Sequence, residues 1–502
     1  MLNLVAAVIA ATIFWFLLFP IGFTVPTHGD IYGYSILFDG IPFSSIPYTP
    51  RPMMGLFIKL GGMLQFDLMM AFFSVIGLIS LVSPLLVYQF IFKRRMPFVG
   101  NLLYFALITS HSANYLGLVH DLGSRLALIF AALAVCSYAK YYETKGLLFL
   151  IVGGVLALLG FFSKETFGLF LIAVVLYIGI LFKMRLRHLV ISAASVLVGL
   201  VLSLYHSRWT GSPFTSDSAS YVLEFNLIDI ARLFVKFITL AISPQLLILV
   251  SVVVVVLVVK RKFETLYSLL VLMVISCLAI VPNSLLTKHG GSNYEMILVP
   301  LFALSIAAHM DRCNWFTCGR IKSLSFILLL LVSNIFWANH SLKTNYWWEM
   351  GIANFNKNAI NSIKDSACKI KAAKSVMVIG LQSDHIVQPW TPFTSSEYLI
   401  DNFRFKEVTF FIVGKGYFDS FRKQNSSNRI YVESTNYPEA HLTDLVLVFD
   451  QKGSIWKSIS ARDDINKLLM ANDLVYEKLY DSNYWAEHET LRHIIPSIKN
   501  VD

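Results

Sequence analysis

Charge is what this chain has least of. Only 14% of its 502 residues are Asp, Glu, Lys or Arg, against about 25% in an ordinary soluble protein. Hydrophobic residues reach 56%, which excludes a disordered chain. Cysteine is also sparse. Five in the whole chain cannot build a disulfide-dense secreted scaffold, and Cys313 and Cys318 have no second pair to complete a zinc site. Cys136 and Cys277 lie in apolar runs and read as small packing residues, while Cys368 stands alone in its segment. The sequence also has no Walker A segment, no Gly-x-Gly-x-x-Gly beside a strand pattern and no internal repeat.

What it does have is long apolar runs and a net charge of +10. The charge divides near Ala338. Residues 339–502 carry 19 basic and 19 acidic residues, so the whole excess belongs to residues 1–338, which hold 22 and 12. Fourteen of those 22 form five short clusters between apolar runs: Lys93-Arg94-Arg95, Lys140 with Lys145, Lys183/Arg185/Arg187, Lys260-Arg261-Lys262 and Arg312/Arg320/Lys322. Short loops rich in Lys and Arg stay cytoplasmic during insertion. Nucleic acid is not an expected partner, because no basic patch is interleaved with exposed aromatics on a soluble domain.

A membrane-crossing helix needs about 20 mostly apolar residues. The apolar runs predict eleven spans, at about 2–23, 68–92, 98–117, 121–139, 147–162, 167–182, 189–206, 232–259, 265–282, 295–310 and 323–338. With a cytoplasmic N-terminus, all five clusters fall on the cytoplasmic side. The first run lacks a basic leader and a small-x-small cleavage site, so it is expected to remain as an anchor. Runs 147–162 and 167–182 are short and separated by Ser163-Lys164-Glu165-Thr166; one long helix is the alternative there. The fold class expected is a polytopic α-helical membrane protein over residues 1–338, with a first outer loop at 24–67. An extracytoplasmic α/β domain is expected over 339–502. Its strand candidates are Ser375–Gly380, Val408–Val413, Arg429–Glu433 and Leu445–Phe449, and its helix candidates are about 351–371 and 463–472.

With the cytoplasmic clusters set aside, most remaining charges fall at the outer ends of spans. Charged groups beside a membrane are costly to hold and carry a functional hypothesis. The first outer loop offers His28-Gly29-Asp30, then Asp39, then Tyr48-Thr49-Pro50-Arg51-Pro52. Asp30 can accept a proton from a sugar hydroxyl, or cap a short interfacial helix. Arg51 can fork onto a phosphate, or pair with a lipid headgroup. A second group is Ser110-His111-Ser112, His120-Asp121 and Arg125. Asp121 reads best as a cap, and His111 is open to phosphate or metal. In the third group, Lys164 can neutralise a phosphate while Glu165 fixes a neighbour. The plainer alternative is an interfacial turn with Lys164 snorkelling to water. The fourth is Lys288-His289-Gly290-Gly291, with Lys288 and His289 as phosphate donors or as part of a polar turn. The loop at 207–231 adds Arg208, Trp209, Asp217, Tyr221 and Glu224, a mixture suited to sugar binding.

In order and placement these groups resemble the GT-C superfamily, polytopic glycosyltransferases that use polyprenyl-phosphate-linked sugars. Members place an acidic residue soon after the first span, where Asp30 stands. Many carry a Tyr-Arg-Pro-like segment before the second span, matched by Tyr48-Thr49-Pro50-Arg51-Pro52. Some carry a His-containing turn followed by Gly-Arg, where this chain has His111-Ser112 and then Gly123-Ser124-Arg125. Several end the fifth span on Ser-Lys-Glu, matched by Ser163-Lys164-Glu165. Within the superfamily, size and layout resemble the serotype-converting O-antigen glucosyltransferases of enteric bacteria and their phages.

The resemblance implies a multi-pass protein of the bacterial inner membrane with a periplasmic C-terminal domain. It implies transfer of a sugar, glucose in particular, from undecaprenyl phosphate to an O-antigen or related glycan acceptor. Asp30 would be the base and the displacement would invert the anomeric carbon. Arg51, Lys164, His111 and Lys288, in that order, would hold the donor phosphate, with Asp39, Glu165, His289 and Arg125 as secondary candidates. No cofactor is required. A divalent metal shared by Asp30 and Asp39 is compatible with the pattern. The rival from another class is a transporter or flippase, and an O-antigen ligase or polymerase is a third reading.

Overall fold

The computed structural model describes residues 51–64, 66–92, 96–108, 122–210, 226–285, 298–312, 320–344, 347–379, 408–414, 429–433, 444–449 and 455–460. The predicted first span lies outside them, as do Asp30, Asp39, His111, Lys288 and His289. The described residues fall into two compact units that part between Met350 and Gly351.

The described part of the first unit is helical. Its helices are α1 (Pro52–Gly62), α2 (Phe66–Phe92), α3 (Phe98–Ile108), α4 (Leu122–Thr144), α5 (Leu147–Ser163), α6 (Gly168–Leu181) and α7 (Leu186–Thr210). They continue as α8 (Leu227–Ala241), α9 (Pro244–Val259), α10 (Phe263–Cys277), α11 (Val281–Ser284), α12 (Leu298–Arg312) and α13 (Arg320–Thr344). Helix α1 occupies the end of the predicted first outer loop. Pro52 starts it, because the ring presets φ and the missing N–H would have had no helical partner.

Helix α4 sits at the centre. Of its apolar window 72% is buried, against 22% for α7 at the periphery. Small residues let α5 approach it closely. Gly153, Ala157 and Gly160 lie on one face of α5, and a Cβ at Gly153 would stand 3.1 Å from the Tyr138 ring. Polar side chains cross-link the helices. Tyr138 OH and Ser195 Oγ are 2.6 Å apart, Asn334 Nδ2 donates to Ala106 O at 2.7 Å, and Gln245 Nε2 donates to Ser333 Oγ at 2.9 Å. The outer surface is apolar: Leu186, Val190, Val198 and Val201 of α7 and Ile248, Val255 and Val259 of α9 are all exposed. A soluble domain would not leave so much Leu and Val uncovered. This is a helical membrane protein by composition and surface.

Among the described residues three helices are long and apolar enough to cross a bilayer: Ala71–Ile91, Leu122–Thr144 and Leu186–Ser207. The predicted span at 232–259 is not one helix. It is α8 and α9, bent by 89°. The cause is local: Ile242 is extended, Ser243 Oγ accepts from Leu246 N–H at 3.1 Å, and Pro244 opens the new helix. Counted as one span, this pair makes four. Seven further apolar helices have 10–17 residues each within the described segments. The 14 residues of α6 reach about 21 Å against a hydrocarbon core of about 30 Å.

Three helix ends stop on a basic residue in the left-handed region, Lys145 (φ 59°), Lys183 (φ 52°) and Arg261 (φ 53°). After α6, Lys183 N–H bonds Ile180 O and Met184 N–H bonds Gly179 O; after α9, Arg261 N–H bonds Val258 O and Lys262 N–H bonds Leu257 O. This is the Schellman pattern, with a cation where glycine is usual. The positive charge faces the negative end of the helix dipole.

The second unit is built on a five-stranded sheet of β1 (Ser375–Ile379), β2 (Thr409–Gly414), β3 (Arg429–Glu433), β4 (Leu445–Phe449) and β5 (Ile455–Ile459), in the order β3-β2-β1-β4-β5. The first four are parallel and β5 is antiparallel to β4. The central strand buries Val376, Met377 and Val378 in succession, as a strand covered on both faces requires. Helix α14 (Trp347–Ala372) precedes β1, and Ser362 Oγ accepts from Ile455 N–H at 3.2 Å. Asp444 ties the start of β1 to β4 by accepting from the N–H groups of Lys374 and Ser375. The four strands read in the sequence are present. Strand β5 is an addition, and the predicted helix at 463–472 lies outside the described residues.

Candidate functional site

The break between α5 and α6 builds the site. Ser163 Oγ donates back to Leu159 O at 3.0 Å, so its hydroxyl is spent within the last turn of α5. Lys164 then turns extended (φ −162°, ψ 115°), and Glu165–Phe167 form a single 3₁₀ turn before α6 begins. The alternative of one continuous helix is therefore excluded. The turn packs against α4, α5, α6, α7 and α11, at the end of the bundle opposite the Lys145 and Lys183 helix ends.

Arg51 closes this turn from the other side of the sequence. Its Nε donates to Glu165 Oε2 at 3.1 Å and its Nη2 to Glu165 Oε1 at 2.8 Å. The two residues are 114 positions apart, so this fork fixes the entry of α1 to the α5–α6 turn. The side chains keep 38% and 31% of their surface. Burial pushes the Glu165 carboxyl up, but the Arg51 charge and hydrogen bonds, with Lys164 adding to them, hold it below the usual glutamate range. Glu165 is thus an anion that holds Arg51 in place, the neighbour-fixing role read for it in the sequence. Arg51, read in the sequence as a phosphate or headgroup ligand, is here paired with this carboxylate while keeping part of its surface.

Lys164 is only 4% exposed, so its ammonium does not snorkel to water. Arg125 is 3% exposed in the first turn of α4, the helix on which the 3₁₀ turn packs. Three of the candidate cations, Arg51, Lys164 and Arg125, thus belong to elements that meet at this end of the bundle. Two buried polar atoms lie in the same elements. Among the described residues, Thr166 Oγ1 and Asn283 Nδ2 have no hydrogen-bond partner. Asn283 sits in α11, which packs on the turn. Sequence reading passed over Asn283 because it follows the predicted span 265–282 and carries no charge. Pro282-Asn283-Ser284 at a span end was the available signal.

A buried lysine, a fixed arginine and unsatisfied donors form a place suited to an anion in low dielectric, where each charge acts strongly. No group of three His, Cys, Asp or Glu side chains among the described residues could hold a metal ion. Comparison with protein-family models and with curated proteins returns no match for this chain.

Proposed function

We propose that the protein is a membrane glycosyltransferase of the GT-C type. It moves a hexosyl group, glucose in the first instance, from a polyprenyl phosphate to a lipid-linked glycan such as O-antigen on the outer face of the bacterial inner membrane. One observation carries the reading. The Arg51–Glu165 fork beside buried Lys164 joins the segment before the second span to the Ser-Lys-Glu turn, two of the segments that carry the resemblance to that superfamily. Asp30 takes the proton from the acceptor hydroxyl as its oxygen bonds to the anomeric carbon. The bond from that carbon to the phosphate oxygen breaks, the configuration inverts, and the lipid phosphate leaves. Lys164 offsets the growing negative charge, and Arg51, held by Glu165, gives the site its shape.

The test is transfer by the full chain supplied with a polyprenyl-phosphate-linked hexose and an acceptor glycan. Addition of one hexose supports the reading. Lengthened glycan ladders would support a polymerase instead. Movement of the lipid-linked sugar without transfer would support a transporter instead. Asp30→Asn should abolish transfer with insertion intact, and full activity in that variant overturns the assignment.

A further inference from the structure

Helix α8 has three stripes instead of two. Leu233, Phe237 and Ala241 are buried and seat it on the bundle, against α11 and α12. Leu227, Ile228 and Val235 form a second stripe that is apolar yet 80%, 70% and 57% exposed. Arg232, Lys236 and Thr239 form a third, exposed and polar. At about 100° per residue the second and third stripes lie side by side along the outer surface of the helix.

Neither water nor hydrocarbon alone suits this surface. In water the exposed Leu and Ile gain nothing; in hydrocarbon Arg232 and Lys236 would be costly. The neighbouring helix decides the geometry. Helix α9 exposes Leu247, Ile248, Val252 and Val255, a surface suited to hydrocarbon, and α8 leaves it at 89°. With α9 set along the bilayer normal, a right angle to it is the plane of the membrane. The break is specified by residues and not by bending. Asn226 Oδ1 caps α8 by accepting from Ile228 N–H at 3.1 Å, and Ser243 caps α9.

We propose that α8 lies in the bilayer interface, with Leu227, Ile228 and Val235 among the acyl chains and Arg232 and Lys236 on the phosphates of anionic phospholipids. Arg232 reaches Asp229 at 3.4 Å, but this pair is exposed and therefore weak, so a lipid phosphate can take over the guanidinium. This placement requires only that the protein sits in a membrane and is independent of the reaction proposed above.

The test uses the full chain in lipid nanodiscs, with its five native cysteines replaced and single nitroxides at Leu227, Ile228, Arg232, Val235, Lys236 or Thr239. Labels at 227, 228 and 235 should be reached by oxygen at one shallow depth, and labels at 232, 236 and 239 by a polar nickel chelate. Depth that increases steadily from 227 to 239 would mean a crossing helix and overturn the proposal, as would nickel access at all six. Arg232→Gln with Lys236→Gln should reduce the preference for phosphatidylglycerol over phosphatidylcholine, read by native mass spectrometry of retained lipid. The loss should be about fivefold for each charge removed. Thr239→Ala should leave the preference unchanged. A phosphatidylglycerol preference as large in the doubly substituted protein as in wild type overturns the headgroup assignment.

Discussion

Glu165 shows what a single residue contributes here. Two hydrogen bonds from one guanidinium hold α1 to the α5–α6 turn. With about a third of each side chain still exposed, the pair is worth less than a buried one, about 1 kcal/mol. Glu165→Gln should lower thermal stability by about that amount in detergent. Combined with Arg51→Gln in a double-mutant cycle, it should show a coupling of similar size; zero coupling would refute the fork. The pH dependence follows in sign. Because the folded carboxyl titrates below its unfolded value, the stabilisation is complete above the ordinary glutamate pKa of about 4.3 and is lost as pH falls through the lower folded value. Wild type and Glu165→Gln should therefore run parallel above about pH 5 and converge only in stronger acid. The Ser-Lys-Glu turn and its charges were legible in the sequence. The partner was not, because Arg51 is 114 residues away and spacing alone cannot separate a phosphate, a headgroup and a carboxylate. Asn283 was illegible for a different reason: a neutral amide shows its importance only when burial leaves its N–H group without an acceptor.

At the level of elements, the apolar runs located most described helices but not their continuity. Hydropathy sums over 232–259 without weighing Ser243-Pro244, and those two residues end one helix and start another at a right angle. The amphipathic stripe of α8 was also diluted by counting it with the uniformly apolar α9. Helix contacts depend on equally small features. Gly153→Val should force the Tyr138 ring away from α5 and disturb its bond to Ser195, with a loss of about 1–3 kcal/mol in thermal unfolding. An unchanged melting temperature would mean that the two helices are not in such close contact. Lys183→Gly should act the other way. It relieves a left-handed backbone conformation and should raise stability by about 1 kcal/mol. The strands of the second unit were easier to read, since continuous Val, Ile, Leu and Phe runs bounded by polar residues mark buried parallel strands. Strand β5 is mixed, with Lys457 on an edge, and gave no such signal.

At the largest scale, the described residues of the first unit make a bundle with opposite ends of different character. One end gathers Arg51, Lys164, Glu165 and Asn283. The other gathers the left-handed Lys145 and Lys183, where Tyr141 OH lies 2.7 Å from His188 Nδ1 across the two loops. The proposed orientation puts the second end in the cytoplasm. Single cysteines replacing Lys145, Lys183 or Arg261 should then react with an impermeant reagent only in inverted vesicles, and one at exposed Asn226 only in right-side-out vesicles. Labelling of all four from one side would overturn that orientation. The left-handed cations also bear on how the chain reaches its place. Glycine would end these helices with less strain, but glycine carries no charge for the insertion machinery to sort. In the proposed orientation each Lys or Arg at such a position would give up some firmness in the finished helix for a decision made earlier, while the segment emerges and its direction across the membrane is still open. On that orientation, variants that remove the strain at those turns are expected to be steadier once folded and more often inserted the wrong way round.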